Sequence, residues 1–322
     1  MKKTTKLFIQ IPCYNEEKTL PLVLRTIPKK INGINSIDIL IIDDGSKDKT
    51  VEVAKSYGIK HIVRHKQNMG LARSFHDGVN YALAHGADIV VNTDGDNQYP
   101  QERIGDLVQP ILENKAEIVI GDRQTSKIEH FSIFKRLMQS FGSWVVNKAA
   151  GTELPDAASG FRAYSRESLI RINIITQFSY CMETIIQAGN KRIPIASVPI
   201  TTNPKTRESR LFKNVWQHMF KSASAIIRSY IMYRPHLIFI SLGTVLLIGG
   251  LIPFARYAVI YFGNDRGSHI QSLLLGAVLV FAAIIAYALA IIADLTRTNR
   301  TLQEDTLERI KRLQYNLDAE QK

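Results

Sequence analysis

The stretch VVNTDGDNQYP, residues 90–100, sets two carboxylates, Asp94 and Asp96, directly after a run of apolar, β-branched residues. A buried strand ending in two such anions crowds like charges together, which is unfavourable unless a cation or hydroxyl groups meet them. Two further stretches share the form: IPCYNEE at 11–17 follows LFIQI, and IIDDGS at 41–46 closes DILIIDD. One acidic strand end could be a helix cap, the role that suits Asp48. Three converging on one edge call for a counter-charge.

Outward from that stretch, the apolar runs LFIQI, DILIIDD, IKHIVRH, DIVVNTD and EIVIGDR alternate with segments such as EEKTLPLVLRTIP and GLARSFHDGVNYALAHG, whose apolar residues recur at helical spacing. This alternation predicts an α/β domain with a mostly parallel sheet. Ligands of such sheets bind beyond the carboxyl ends of the strands, where the acidic clusters fall. Asp94, Asp96 and Gln98 offer hard oxygen donors suited to Mg²⁺ or Mn²⁺, and Gly95 permits close backbone approach to a ligand. The chain has no GxxxxGK[ST] loop and no GxGxxG after the first strand, which disfavours an NTPase or a dinucleotide enzyme. A diphosphate here has to be held by metal and basic side chains.

The 322 residues carry a formal net charge of +12, pointing to an anionic partner: nucleic acid, acidic lipid or a phosphorylated substrate. Cys13 and Cys181 are the two cysteines, without metal spacing, and read as reduced packing residues in a cytosolic environment. His61, His65, His76 and His85 likewise show no metal spacing and read as surface or packing residues. The apolar run at the N-terminus is broken by Gln10 and Pro12, so it predicts a first strand and not a signal peptide.

Two uncharged runs follow, 19 residues from Leu237 to Ala255 and 24 from Ile270 to Ala293. Each is long enough for a hydrocarbon core of about 30 Å, so the pair predicts a transmembrane hairpin at 236–295. Basic residues flank it at Lys213, Lys221, Arg228 and Arg234 and again at Arg297, Arg300, Arg309, Lys311 and Arg312. Only Arg256 and Arg266 belong to the connecting side. That asymmetry predicts a cytoplasmic α/β domain with both termini cytoplasmic. Between them, 211–235 places apolar residues at three and four spacing opposite lysines, as in a helix lying in the lipid interface. The tail, 296–322, reads as a charged helix with a short stripe of Ile310, Leu313 and Leu317, either an oligomer contact or a solvated tail.

In the order PCYNEE, IIDDGS, NxGLA, DGDNQ, GDR, DAASGFR, residues 5–210 resemble glycosyltransferase family 2 with its GT-A fold. The interfacial helix and two spans that follow resemble the polyprenyl-phosphate branch of that family, which includes dolichol-phosphate mannose synthases and bacterial lipid-phosphate glucosyltransferases. The resemblance implies a catalytic domain over 1–210 that transfers a hexose with inversion from a nucleotide sugar, UDP- or GDP-linked, to a polyprenyl phosphate at a membrane, without nucleic acid. It implies that Pro12, Tyr14, Glu16, Asp43 and Asp44 contact the nucleoside. Asp94, Gly95, Asp96 and Gln98 would form the diphosphate and Mg²⁺ or Mn²⁺ site, and Arg123, Arg136 and Ser140 would surround the donor and acceptor phosphates. Asp156 matches the aspartate assigned a catalytic role; apart from the resemblance, Arg162 in the same DAASGFR stretch reads as a partner for it. Arg207 and Arg210 match a mobile basic segment, although Glu208 stands where relatives carry glycine. Two alternatives are a membrane-anchored transferase acting on a sugar or protein hydroxyl, and a non-catalytic protein that binds nucleotide or lipid. A processive polysaccharide synthase is disfavoured because the chain contains no QxxRW.

Overall fold

A computed structural model of the chain describes residues 4–124, 133–174, 180–204, 235–262 and 270–320, without the side chains of 133–141, 235 and 316–320. The expected interfacial helix, together with Arg207 and Arg210, lies outside the described residues, as do the side chains of Arg136 and Ser140. The chain divides into two compact units, Met1–Ile226 with Leu307–Lys322, and Ile227–Thr306.

The first unit is built on a seven-stranded sheet with strands β1 (Lys6–Cys13), β2 (Ser36–Asp43), β3 (His61–Arg64), β4 (Ile89–Asn92), β5 (Ile118–Asp122), β6 (Arg162–Ser165) and β7 (Ile195–Pro199). Their spatial order is β3-β2-β1-β4-β6-β5-β7. All neighbours pair in parallel except at β6, which runs antiparallel to both β4 and β5. β1 is buried on both faces from Leu7 to Cys13, as a central parallel strand covered by helices must be.

Those helices are α1 (Leu20–Thr26), α2 (Thr50–Ser56), α3 (Leu71–Ala84), α4 (Ile104–Leu112), α5 (Ile133–Ala150), α6 (Arg166–Arg171) and α7 (Tyr180–Asn190). α1 has proline in its first turn, where the missing N–H is not needed. It stops at Thr26 because Ile27, extended at ψ 127°, precedes Pro28, which disfavours helical geometry in the residue before it. α3 buries Ala72, Phe75, Val79, Ala82 and Leu83 on one face. One face of the sheet packs Leu7, Ile9, Ile11, Ile41, Val91 and Val119 against Leu20, Val23, Ile104, Leu107 and Val108. Each such side chain contributes roughly 1.5–3 kcal/mol by leaving water.

The second unit holds helix α8 (Pro235–Phe262) and most of α9 (Ile270–Glu320). Both are long and apolar enough to cross a membrane. Small residues let them approach: a methyl group on Gly276 would lie 2.8 Å from the Gly250 carbonyl oxygen, the kind of contact that packs helices in lipid. Thr244 and Tyr287 join hydroxyls across the pair at 3.1 Å.

α9 is 51 residues long, about 75 Å at 1.5 Å per residue, so its uncharged part accounts for only half of it. Its last described turns belong to the sheet unit. Tyr315 is buried and its hydroxyl meets Asn80 Oδ1 of α3 at 3.1 Å. Arg312 forks onto the Glu167 carboxylate, and Lys311 donates to the Ile172 carbonyl at 3.0 Å. Of the apolar stripe in the sequence reading, Ile310 and Leu313 stay exposed, and the side chain of Leu317 lies outside the described ones.

Candidate active site

The register places every acidic strand end on one edge. Cys13 pairs with Asp43, Asp43 with Arg64, and Gln10 with Asn92 three residues before the end of β1. Because β6 is antiparallel, its first residue, Arg162, pairs with Asn92 and Ile120. The loop 156–161 therefore enters the sheet from the edge where the other strands leave it. The PCYNEE, DDGS, DGDNQ, GDR and DAASGFR stretches thus converge.

At the end of β4 the 94–98 turn is fixed from three sides. Gln98 N–H donates to Asp96 Oδ1 at 3.2 Å, and Asn97 is left-handed at φ 59°. Asn203, beyond β7, ties the turn down, donating from Nδ2 to the Asn97 and Tyr99 carbonyls and from its N–H to the Gln98 carbonyl. A methyl group on Gly95 would lie 3.1 Å from Cys13 Sγ and 3.3 Å from Glu16 Cγ. The missing side chain lets this turn lie against the β1 loop. Asp94 and Asp96 are partly exposed.

Among the described residues no three His, Cys, Asp or Glu side chains gather as a metal cage. Two carboxylates and an amide still suit Mg²⁺ or Mn²⁺ in this setting, because such ions are commonly held by one or two carboxylates and completed by water and substrate phosphate.

Behind the turn lies a buried polar chain. Gln10 Nε2 donates to Asn92 Oδ1, and Asn92 Nδ2 donates to the Gly160 carbonyl and the Tyr180 hydroxyl, at 3.0, 3.0 and 2.7 Å. Gly160 N–H donates to the Tyr99 hydroxyl at 2.9 Å. Burial pushes the Tyr99 phenol well above its ordinary range, so its hydroxyl stays neutral and available to accept. A methyl group on Gly160 would lie 3.5 Å from Asp94 Oδ1, which sets the DGDNQ and DAASGFR loops side by side.

Asp156 has a fully buried side chain, and Arg123 grips it in a fork, Nε to Oδ2 at 2.6 Å and Nη2 to Oδ1 at 2.9 Å. Ala158 N–H adds a third donor at 3.2 Å. Burial alone would raise this carboxyl's pKa. The Arg123 guanidinium outweighs burial and holds it below the usual carboxylate range.

The guanidinium that meets Asp156 is Arg123 and not Arg162, contrary to the sequence expectation. Arg162 is fully buried and donates to the carbonyls of Ser159, Cys181 and Ala157 and to Thr184 Oγ1. As the first residue of β6 it is turned into the sheet unit's interior. It shapes the 156–161 loop.

At the β1 and β2 ends, Pro12 and Glu16 are buried and Tyr14 is partly exposed. The two loops are laced by Asn15 N–H to Ser46 Oγ, Lys47 N–H to Asn15 Oδ1 and Glu16 N–H to Thr50 Oγ1, all at 2.8–2.9 Å. Asp43 accepts from Ser46 N–H and pairs with Arg64 Nε at 3.1 Å. Asp44 accepts from the backbone N–H groups of Met69 and Gly70 at 2.8 and 2.9 Å, and its Oδ1 lies 2.7 Å from His65 Nδ1. Both carboxylates therefore shape the loops around the edge. Asn203 was passed over by sequence reasoning and His65 was read there as a surface or packing residue, since neither lies in an acidic motif.

Residues 8–172, just over half of the chain, match the family model described as glycosyl transferase family 2. The UDP-N-acetylglucosamine–dolichyl-phosphate N-acetylglucosaminyltransferase of Methanococcus voltae is 27% identical over 217 residues, covering 61% of this chain and 85% of that protein. The polyprenol monophosphomannose synthase of Mycolicibacterium smegmatis is 25% identical over 241 residues, covering 71% of this chain and 89% of that protein. Among solved structures, glucosyl-3-phosphoglycerate synthase of Mycobacterium tuberculosis, crystallised with Mn²⁺, UDP and glucosyl-3-phosphoglycerate, superposes with a TM-score of 0.53 at 18% identity, covering 70% of this chain and 79% of that one. That likeness is one of fold. The strand-end motifs, the mostly parallel sheet and the family match agree: the chain belongs to glycosyl transferase family 2.

Proposed function

We propose that this enzyme transfers a hexose from a nucleotide sugar to a polyprenyl phosphate at a membrane surface, with UDP-glucose the first donor to test and GDP-mannose the second. Relatives that act on dolichyl and polyprenol phosphates support the acceptor class, and two helices long enough to span a bilayer support the setting. The observation that carries the reading is the state of Asp156. A buried carboxylate held ionised by Arg123 beside the Asp94 loop is a poor proton acceptor, which suits an acceptor that needs no deprotonation.

A lipid phosphate monoester has its second pKa near about 6 and is largely ionised at neutral pH. One of its oxygens attacks the anomeric carbon as the bond from that carbon to the nucleoside diphosphate breaks, the diphosphate leaving with the electron pair and the configuration inverting. Asp94, Asp96 and Gln98 would hold Mg²⁺ or Mn²⁺, which when bound supplies positive charge against the diphosphate. Arg123 and Asp156 together set a fixed dipole beside the reacting carbon, stabilising charge that develops there. Asp43 and Asp44 shape the nucleoside side of the edge. Arg136, Ser140, Arg207 and Arg210 are proposed for the phosphates on the strength of the motif match alone.

The test is transfer of label from UDP-glucose, GDP-mannose and UDP-N-acetylglucosamine, with Mg²⁺ or Mn²⁺, into organic-extractable, mild-acid-labile undecaprenyl-phosphate product. Asp96→Ala is the control. Labelled lipid that vanishes in Asp96→Ala supports the reading and names the sugar. Metal-dependent donor hydrolysis with no lipid product in any arm would move the acceptor to another class.

A further inference from the structure

We infer that His65 and Asp77 are positioning residues for the nucleoside half of the donor, acting through Asp44 on the loop Gln67–Gly70; this rests on the nucleotide-sugar reading above. The His65 ring lies between two carboxylates, Nδ1 at 2.7 Å from Asp44 Oδ1 and Nε2 at 3.2 Å from Asp77 Oδ2. Its side chain is 10% exposed and that of Asp44 7%. Asp77, on α3, is itself held by Arg73 Nε at 2.8 Å and His76 Nδ1 at 3.0 Å. His65 N–H donates to the Asp43 carbonyl at 2.9 Å, so both its backbone and its ring bind the end of β2.

This clamp controls one short loop. Asp44 takes the N–H groups of Met69 and Gly70, and Gly45, at φ +73°, leaves no room on its far side: a methyl group there would lie 2.6 Å from the Gln67 carbonyl carbon. The loop's path over β2 and β3 is therefore set by Asp44, and the direction of Asp44 is set by His65. A carboxylate has about four lone-pair directions, and these donors take three of them on Asp44.

The sheet order says which ligand group lies there. Asp94 and Asp96 stand at β4, and Arg123 and Asp156 at β5 and the entry to β6, on one side of it. The loop 65–70 stands at β3 and β2, on the other side, about 10–14 Å from β4 at the usual strand spacing. With the diphosphate at β4 and the sugar toward Asp156, the nucleoside extends over β2 and toward β3.

A role in holding the nucleoside predicts a different result from a role in general stability. Full-length protein in detergent with Mg²⁺ is titrated with UDP, GDP and inorganic pyrophosphate, and donor KM and kcat are measured for wild type, His65→Ala, Asp77→Ala and Asp77→Asn. Loss of the charge-assisted contact of His65 with Asp44, directly in His65→Ala and through the freed ring in Asp77→Ala, weakens nucleoside diphosphate binding and raises donor KM about tenfold in each alanine variant. We expect kcat and pyrophosphate binding to stay at wild-type levels, and Asp77→Asn, which keeps an acceptor oxygen, to recover most of the loss. Unchanged nucleotide binding in the variants, equal loss for pyrophosphate, or a fall in kcat at constant KM each overturns the inference. If His65→Ala does not fold, Asp77→Ala on the helix surface carries the same outcomes. A wild type that binds pyrophosphate but neither nucleotide overturns the nucleotide-sugar reading as well.

Discussion

A carboxylate gripped on both oxygens by a guanidinium stays ionised far into acid, and for Asp156 this fixes what a pH profile will show. Its pKa lies below the ordinary value of about 3.9, so the stability it contributes is present above that value and lost only as the pH falls through the lowered one. Between pH 5 and 9 it does not titrate. Asp156→Asn is expected to lower kcat by roughly a hundredfold or more, and the loss should persist unchanged to pH 9; recovery at high pH would instead mark Asp156 as a base. Arg162→Met is expected to cost about 3 kcal/mol, because carbonyls it now satisfies would be left buried and bare, read as a fall in melting temperature. The acidic strand ends were legible because a carboxylate after an apolar run is anomalous on its face. The fates of Arg123 and Arg162 were not: both are arginines beside a motif, and only the antiparallel entry of β6 decides which one turns inward. His65 was illegible for a similar reason, since its partners lie 21 and 12 positions away.

Among the elements, five parallel strands were readable from apolar runs, whereas β6 and β7 were not. RAYS and IASVP are four and five residues long, too short to show a period, and β6 is a return strand that no alternation of strand and helix announces. The charged tail was readable as helix but not as part of the sheet unit, because its contacts are single polar side chains placed on α3 and α6. Tyr315→Ala should lower the melting temperature, with a cost of about 3 kcal/mol for a buried aromatic, while Ile310→Ala on the exposed side should be near neutral. Burial next to Lys191 pulls Lys311 down to about 8. The unfolded chain then binds more protons than the folded one between that value and about 10.4, so stability rises with pH across this window. Melting curves of wild type and Lys311→Met should accordingly converge from pH 8 to pH 10; a constant gap would show that Lys311 is not buried as described.

For the whole molecule, the basic residues around the two apolar helices predict that the link between them faces away from the catalytic side. Gly267→Cys in intact cells should react with a membrane-impermeant thiol reagent, and Glu320→Cys should react only after the membrane is opened; the reverse pattern would invert the proposed orientation. Cys13 and Cys181 are buried and should give little background. The division of the chain has a further consequence for how the enzyme is made. The sheet unit is discontinuous, with Leu307–Lys322 separated from the rest by the 80 residues of Ile227–Thr306. At about 5–20 residues per second, a ribosome takes roughly 4–16 seconds to make that intervening stretch. The surface that receives Tyr315 and Arg312 thus waits through the synthesis of both apolar helices before residues 307–322 reach it.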